Sequence, residues 1–355
     1  MKTFKEGQVD FYAPEGDITK KLAVFYNPVM SFDRDLTVAV LKAFKPKNYC
    51  DALAASGIRG LRAAKEAGIK EVYINDLNPS AIRLAEKNSK KNKLKPKLSN
   101  CEANFMLRDF DAGELECIDI DPFGPFIPFL DSALSAINSR HGLLCLTATD
   151  TAPLCGVAAK ACQRRYGAKP ARTSYAKEVG LRILISACAR SAARHDFAVR
   201  PLLCYNHRHY FRLYLETKYG LGASHDMLDK IEYLQYCREC DWRGYARVNA
   251  FEDACPNCKN KLDWAGPVWS GKFADAGFLK KVKTGNKDVT RLVELLKAEQ
   301  DVTLPFYEIS HLSKLYKKSM PRKAELIKKL RASGKKAYET HFSGTGIRSE
   351  RLPRF

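Results

Sequence analysis

The sequence predicts an α/β protein with a Rossmann-like sheet of seven strands, the last of them antiparallel. Strand-like apolar runs alternate with helical patterns over residues 49–193, which is typical of parallel βαβ units. The run 117–120 has the composition of a buried strand and stops at Asp121, because the proline that follows cannot continue a central ladder. Two further β-rich runs, 197–205 and 210–218, fit a hairpin that brings the antiparallel strand into the sheet.

Length and composition limit the classes of protein that the chain can belong to. Its 355 residues can hold two domains, by a prior of about 150 residues each. Lys and Arg number 60 against 40 Asp and Glu, and the excess of +20 indicates a polyanionic partner, most simply nucleic acid. A basic surface that is merely solvated is the alternative. The start of the chain lacks the apolar segment of a signal peptide, and no apolar run reaches the roughly 18 residues of a membrane span.

Cysteine usage indicates a reducing compartment, and we expect a cytoplasmic protein. Most of the twelve cysteines lie in apolar segments, and four others have the spacing of metal ligands. This distribution differs from the regular framework of a disulfide-rich secreted domain.

The N-terminal segment is predicted to be irregular and to pack on the rest of the fold. It covers about residues 1–30 and contains several turn residues. Asp33 is a candidate cap for a helix over 35–44, whose apolar positions recur at helical spacing. Arg34 lies at the start of this helix.

The next stretch has the pattern that opens a nucleotide-binding α/β unit. A buried strand over 49–55 precedes a turn of small residues over 56–60, and a helix extends to about residue 67. The G-x-G-x-x-G fingerprint is absent, so the turn alone is weak evidence. A second strand over 71–77 carries Asp76 at its tip, where an acidic residue commonly binds ribose hydroxyls. Capping of the following helix is the alternative role for Asp76.

The remaining elements of the sheet follow in the same alternation. A third strand is predicted over 98–104, with Glu102 near its end and beside the expected adenine pocket, although a solvent-facing side chain is an alternative. Helices are predicted over 126–137 and 175–193, and a fully buried fifth strand over 142–149.

Asp121, Pro122 and Phe123 are the candidate catalytic residues. They follow the fourth strand, and open α/β sheets bind their ligands at the carboxyl ends of the strands. An Asp-Pro-aromatic turn suits methylation of an exocyclic amine on a base: the carboxylate and a turn carbonyl accept the amine hydrogens, and the ring stacks on the base. A turn that only terminates the strand is the alternative.

A domain boundary is predicted near residues 219–224, which gives domains over 1–219 and 220–355. The second domain contains two C-x-x-C pairs with fourteen residues between them, a spacing that matches a four-thiolate zinc ribbon over about 233–268. Four thiolates leave no open position, so the metal would be structural. Two disulfides are the alternative, and they disagree with a reducing compartment. The ligands would be Cys237, Cys240, Cys255 and Cys258.

The tail, over about 304–355, has the pattern of a winged helix-turn-helix. Two short helices are predicted over 310–317 and 321–331, and two wing strands over 337–342 and 347–352. Ten Lys and Arg side chains in this region face a single Glu, which suggests phosphate contacts. A solvated amphipathic helix is the alternative.

Taken together, these stretches resemble the tRNA (guanine-26-N2)-dimethyltransferase family, in its archaeal form, over nearly the whole chain. Each motif is short, and the combination is specific. The order of the seven strands resembles a methyltransferase that uses S-adenosylmethionine rather than a nicotinamide dehydrogenase. Besides the four cysteines, the motifs are Tyr-Asn-Pro at 26–28, Arg-Asp-Leu at 34–36, Ala-Ser-Gly-Ile-Arg at 55–59, Asn-Asp at 75–76, Asp-Ile-Asp-Pro-Phe-Gly at 119–124, Thr-Asp-Thr-Ala at 149–152 and Thr-His-Phe at 340–342.

The resemblance implies a binding site for S-adenosylmethionine. Arg34 and Arg59 would hold the methionine carboxylate through charge-assisted bonds. Asp76 would bind the ribose, and the Glu102 side chain and the Ala103 backbone would lie near the adenine.

The resemblance also implies the reaction: transfer of one or two methyl groups to the exocyclic N2 of guanosine 26 in tRNA. The guanosine would be unstacked and turned into the pocket, where Asp121 and the Pro122 carbonyl would accept its amine hydrogens and Phe123 would stack on it. The basic tail and the zinc ribbon would bind the tRNA body, and we expect a monomer.

Two other functions remain open at this point. An adenine-amine methyltransferase would be expected to carry Asp-Pro-Pro-Tyr or Asn-Pro-Pro-Phe, and Phe123 in the third place argues against it. A non-catalytic RNA-binding zinc protein with a degenerate fold would not bind the methyl donor.

Overall fold

The computed structural model describes residues 1–15 and 22–353. Gly16, in a predicted turn, and the last two residues of the predicted tail region lie outside the described residues. Contacts between residues divide the chain into two compact units. Unit 1 comprises Met1–Thr147, Tyr214–Tyr219 and Lys280–Val293, and unit 2 comprises Ala148–Leu213, Gly220–Leu279 and Glu294–Phe355. One change of unit falls at residues 219 and 220, but others fall elsewhere, so the two-domain boundary stays a prediction.

The first thirteen residues form a hairpin, and the prediction of an irregular N-terminal segment was wrong for them. Strands β1 (Lys2–Glu6) and β2 (Val9–Ala13) pair antiparallel. Alternate residues of β2 are buried, which gives the hairpin one apolar face. The amide side chain of Asn88 accepts a hydrogen bond from Tyr12 N at 2.7 Å and donates to the Tyr12 carbonyl at 3.1 Å, so the hairpin is fixed to unit 1.

The central sheet has seven strands, as predicted, and their order is β5-β4-β3-β6-β7-β9-β8. The first five are parallel to one another. Two residues separate β8 from its neighbour β9, a connection that only an antiparallel pair can make. The strands are β3 (Asn48–Asp51), β4 (Glu71–Asn75), β5 (Lys97–Ser99), β6 (Cys117–Ile120), β7 (Leu143–Ala148), β8 (Phe197–His207) and β9 (Tyr210–Tyr219).

Helices connect these strands and follow them. They are α1 (Ser31–Phe44), α2 (Ile58–Ala67), α3 (Pro79–Lys91), α4 (Ala103–Arg108), α5 (Ile127–Ala136), α6 (Thr151–Leu154), α7 (Ala159–Tyr166), α8 (Ala176–Ala193) and α9 (Leu221–Leu228). Helix α1 begins earlier than predicted, because a 3-10 turn over Pro28–Met30, capped by Asn27, leads directly into it. Asp33 is therefore inside the helix and does not cap it.

Unit 2 contains a small antiparallel sheet that carries the four spaced cysteines. Its strands are β10 (Ile231–Tyr236), β11 (Arg243–Ala246) and β12 (Asp263–Trp269), in the order β11-β10-β12. Helices α10 (Ala276–Leu279) and α11 (Lys287–Glu299) follow.

The tail has the helix, helix and hairpin order of a winged helix, as predicted. Its two helices pack on a three-stranded sheet through a core that includes Leu312, Leu326, Leu330 and Ile347. The second helix and both wing strands are shorter than predicted. The elements are β13 (Tyr307–Glu308), α12 (Ile309–Tyr316), α13 (Lys323–Ala332), β14 (Ala337–Glu339) and β15 (Gly346–Ser349), with the sheet order β13-β15-β14.

A buried ion network holds unit 2 together. The guanidinium of Arg348 is fully buried and lies 2.8 Å from Glu178 and 3.1 Å from Glu299. Arg182 pairs with the same Glu178 at 2.8 Å. His341, which contacts Glu299, and Arg348 together lower the pKa of this buried carboxyl to about 2.

Among the described residues, no helix combines the length and the apolar character that a membrane crossing requires.

Candidate active site

The Asp-Pro-Phe turn lies at the carboxyl end of β6, where the sequence places it. Asp121 follows the last residue of the strand, and its side chain is 26% exposed. Pro122 is buried, whereas the Phe123 side chain is 57% exposed. Phe25 meets that ring edge to face, with 4.6 Å between the ring centroids.

Arg59 is the centre of the site. Its Nη2 donates to Asp121 Oδ2 at 2.6 Å, and its Nη1 donates to Asp33 Oδ2 at 2.6 Å. Its Nε lies 3.8 Å from Asp119 Oδ2, which also accepts a hydrogen bond from the Tyr49 hydroxyl at 2.8 Å. One buried cation therefore lies within 4 Å of carboxylates from three separate segments of the chain.

The turn before Arg59 is shaped by Gly57. This residue has φ +75°, in the left-handed region that side chains disfavour. A Cβ there would also lie only 2.9 Å from the Cβ of Ala85 on α3. Helix α2 can therefore start immediately after the turn, and its first turn presents Arg59 to the acidic residues.

A further carboxylate lies at the end of β3, beneath the site. Asp51 is buried and accepts a hydrogen bond from Gly60 N at 3.1 Å. Burial and the nearby Asp119 raise the pKa of Asp51 to about 8, although Arg59 opposes the shift. Asp51 is therefore mostly protonated at neutral pH.

Asp76 connects the tips of β3 and β4. Its Oδ2 accepts a hydrogen bond from Ala55 N at 2.8 Å, and its Oδ1 accepts one from Asn78 N at 2.8 Å. It does not cap α3, because the Asn78 side chain does so through Ser80 N. The Asp76 carboxylate is thus held at the strand tips with further lone pairs available for hydroxyl groups.

Glu102 and Ala103 lie at the start of α4 and not in a strand. Strand β5 ends at Ser99, three residues before Glu102, so the predicted end of the third strand was wrong. Glu102 is exposed and caps α4 by accepting a hydrogen bond from Phe105 N at 3.0 Å. Ala103 is the first helical residue, and the amide of such a residue has no acceptor within its own helix.

Arg34 lies with the N-terminal hairpin. Its Nε and Nη2 donate to the two carboxylate oxygens of Glu6 at 2.7 and 2.5 Å, and Nη2 also donates to the Asn27 carbonyl. Within the described residues its Nη1 has no hydrogen-bond partner, so this nitrogen can donate to a ligand. The structure thus joins Arg59 to Asp121 and pairs Arg34 with Glu6.

Sequence reasoning missed three acidic side chains of this site. Asp33 was assigned to a cap, and Asp51 and Asp119 were treated as parts of apolar strands. Both strand residues are fully or almost fully buried. A carboxyl group within a buried strand needs either a cationic partner or a proton of its own, and this requirement was the signal that could have identified them.

The four spaced cysteines come together in unit 2. Their sulfurs all lie within 4.8 Å of one another. The Cys237–Cys258 and Cys240–Cys255 sulfurs are 3.4 and 3.5 Å apart, too far for disulfides. Tetrahedral zinc with Zn–S bonds of about 2.3 Å requires separations of about 3.8 Å, so this donor set fits the ion.

The sheet, its terminal hairpin and the acidic turn after β6 define a Rossmann-like methyltransferase. Residues 5–352 match the family model described as N2,N2-dimethylguanosine tRNA methyltransferase. The chain belongs to this family, which confirms the predicted resemblance.

Named relatives cover the whole length. A tRNA (guanine(26)-N(2))-dimethyltransferase from Haloarcula marismortui is 38% identical over 97% of this chain and 96% of its own. A tRNA (guanine(26)-N(2)/guanine(27)-N(2))-dimethyltransferase from Aquifex aeolicus is 34% identical over 98% and 93%. The solved structure of Trm1 from Pyrococcus horikoshii with S-adenosyl-L-methionine is 32% identical and superposes with a TM-score of 0.90 over 99% of this chain and 97% of that one.

Proposed function

We propose that this protein transfers methyl groups from S-adenosylmethionine to the exocyclic N2 of guanosine in tRNA. The observation that carries the proposal is the full-length match to the dimethyltransferase family. Membership of this family favours methylation of guanosine N2 over methylation of an adenine amine, and it favours an enzyme over a non-catalytic zinc protein.

The donor would bind across the tips of β3, β4 and β5. The Asp76 carboxylate, held by two backbone amides, would accept hydrogen bonds from the ribose hydroxyls. Glu102 and the Ala103 amide would face the adenine. The methionine carboxylate would bind the open Nη1 of Arg34 and the guanidinium of Arg59.

Arg59 couples donor binding to the catalytic carboxylate. In the structure it donates to Asp121 at 2.6 Å. A methionine carboxylate at Arg59 would compete for the same nitrogen, so donor binding would release Asp121 toward the guanine. The positive sulfonium would in turn be stabilised by the surrounding carboxylates of Asp33 and Asp119.

The methyl acceptor would be an extruded guanine. Its amine is a poor nucleophile because its lone pair is conjugated with the ring. Asp121 and the Pro122 carbonyl would accept the amine hydrogens, hold the nitrogen in line with the methyl group and stabilise the positive charge that develops on it. The exposed Phe123 ring would stack on the base. In the first transfer the N2–CH3 bond would form as the sulfonium S–CH3 bond breaks, and one N2 hydrogen would leave as a proton to water. The hydrogen that remains on N2 would permit a second transfer.

In this proposal the target is guanosine 26, one or two methyl groups are added, and the protein acts as a monomer in the cytoplasm. The twelve cysteines are all free thiols in the structure, which suits a reducing compartment.

Zinc and the tail would serve tRNA binding. Cys237, Cys240, Cys255 and Cys258 would hold one structural Zn²⁺, which would supply folding energy to the ribbon and no reactive position. The basic side chains of α12, α13 and the wing would contact phosphates.

Two measurements test the proposal. Titration calorimetry should detect S-adenosylmethionine binding, which a non-catalytic RNA-binding protein would lack. Labelled methyl groups should enter an unmodified tRNA transcript and should not enter the same transcript with adenosine in place of guanosine 26. Equal incorporation into both transcripts would reject the assigned position.

A further inference from the structure

Unit 2 contains a cavity that the proposed reaction does not use. It has a volume of about 480 Å³, within the range of about 300–1,000 Å³ usual for small-ligand sites. Its walls come from the cysteine ribbon and from the tail, and we call it the ribbon cavity. The residues that line it include Trp242, Arg243, Tyr307, Lys335, Glu350 and Arg351.

The floor of the ribbon cavity is rigid. Arg243 is 2% exposed, and its guanidinium carbon lies 3.6 Å from the ring centroid of Tyr175 and 4.1 Å from that of Tyr307. Its Nη1 donates to the Phe306 carbonyl at 2.9 Å, and its Nη2 lies 2.5 Å from Asp241 Oδ2. Because these partners already satisfy its charge, Arg243 orders the aromatic wall and does not serve as a free phosphate ligand.

Trp242 supplies a flat apolar surface at the wall. It is half-buried, and its six-membered ring lies over Gly244, where a Cβ would be 3.0 Å from Cη2. Its inner contacts are with the cysteine cluster. Among the described residues no other aromatic ring stacks on it. An indole held in this way is a platform for a nucleobase, since every base has a π face.

Two basic side chains, Lys335 and Arg351, also line the ribbon cavity. Neither Lys335 nor Arg351 forms an ion pair with any carboxylate of the described residues. Glu350 also lines the cavity and accepts a hydrogen bond from Lys336 N at 3.4 Å, so these three side chains together bring two positive charges and one negative charge to the lining. A stacking platform beside two available cations has the chemistry that recognises a base and its phosphate.

We propose that the ribbon cavity binds one unstacked nucleotide of the substrate tRNA, with its base against Trp242 and its phosphate at Lys335 and Arg351. This nucleotide is distinct from the guanosine that is methylated, and the inference rests on the proposed function. An acidic peptide would satisfy the two cations but would leave the indole without a partner, so the observations favour RNA.

The test compares matched pairs of variants in the full-length, zinc-loaded protein. Trp242→Leu is paired with Trp264→Leu, whose side chain is 37% exposed in the same ribbon but does not line the cavity. Lys335→Ala is paired with Lys70→Ala, the same change of charge at an exposed position of unit 1 to which no tRNA contact is assigned. Zinc content and S-adenosylmethionine binding are measured on each variant. If Trp242→Leu loses zinc, the comparison of Lys335→Ala with its control decides the test.

The readout is the Kd for an unmodified tRNA transcript over a series of salt concentrations. Loss of the Trp242 platform should raise Kd about 5- to 150-fold. Loss of Lys335 should reduce the slope of log Kd against log salt by about 0.7–0.9. Each control should change Kd less than about twofold, the usual range for a surface substitution.

Two outcomes would overturn the inference. If both members of each pair weaken binding equally, the cations act only as a general electrostatic surface. If 5′-GMP alone quenches Trp242 fluorescence and Trp242→Leu leaves the tRNA affinity unchanged, the site takes free nucleotides and not tRNA. Absence of methylation by the wild-type protein would instead refute the proposed function, so the two failures can be told apart.

Discussion

Replacing Asp121 by Asn removes one negative charge while keeping the size of the side chain. The proposed role of this group is to accept the amine hydrogens and to stabilise developing positive charge, and an amide does both poorly. We therefore expect the single-turnover methylation rate to fall much more than the stability of the protein.

The structure permits both magnitudes to be worked out. Asp121 is 26% exposed, and Arg59 keeps its 2.6 Å bond to Asp33 after the substitution. Exchanging a charged acceptor for a neutral one should then cost about 1 kcal/mol of unfolding free energy. Removing a group preorganised for transition-state charge typically lowers the rate about 10²–10³-fold, or about 2.7–4 kcal/mol.

Asp35 offers a matched control. Its side chain is also 26% exposed, and it pairs with Arg62 at 2.7 Å. Arg62 keeps Glu66 at 2.7 Å, so Asp35→Asn should lose a similar stability without slowing methylation. The assay is single-turnover transfer of labelled methyl to tRNA, with urea unfolding of each variant. The assigned role would be refuted if Asp121→Asn methylated tRNA at the wild-type rate. It would also be refuted if Asp121→Asn and Asp35→Asn lost the same fraction of the methylation rate.

Three other perturbations have defined outcomes. The pKa of Asp51 is about 8 in the folded protein and lower in the unfolded chain, so the native protein retains this proton between about pH 4 and 8 and the free energy of unfolding should fall as the pH rises through this window. Asp51→Asn should flatten this pH dependence in urea titrations, and the same pH dependence in variant and wild type would contradict the assignment. Metal analysis should find one zinc per chain, and Cys255→Ser should lose zinc and tRNA affinity while keeping donor binding; full tRNA affinity without zinc would show that the ribbon is dispensable. Arg348→Met should destabilise unit 2 by about 3–5 kcal/mol because buried Glu178 loses a cationic partner, whereas Arg322→Met, at an exposed position, should change stability little. Similar thermal midpoints for the two variants would show that the buried ion network does not stabilise unit 2.

The sequence predicted those parts of the fold in which local pattern and burial agree. Strands β6 and β7 are short and buried throughout, β6 is followed closely by Pro122 and β7 is preceded by Gly142, and both lie within a residue or two of the predicted limits. The N-terminal hairpin was missed although Val9, Phe11 and Ala13 alternate with outward-facing residues. Five residues are a weak signal when the partner strand, β1, has a mostly exposed pattern.

The site was predicted only where a residue's position in the chain fixes its place in the sheet. Asp76 and Asp121 follow strands, so the topology alone brings them to one edge. The ion pair of Arg59 with Asp121 joins residues 62 positions apart. Such a contact depends on how α1, α2 and the sheet pack, and periodicity contains no information about it. Glu102 was misplaced for a similar reason, because β5 ends early and α4 starts with its own cap.

The most direct test of the central claim is identification of the methylated nucleoside. An unmodified tRNA transcript is incubated with the protein and isotopically labelled S-adenosylmethionine, digested, and analysed by chromatography and mass spectrometry. If the proposed function is correct, the label will be found in N2-methylguanosine and N2,N2-dimethylguanosine. Label in a methylated adenosine, or no label in a protein that binds the donor, would contradict it.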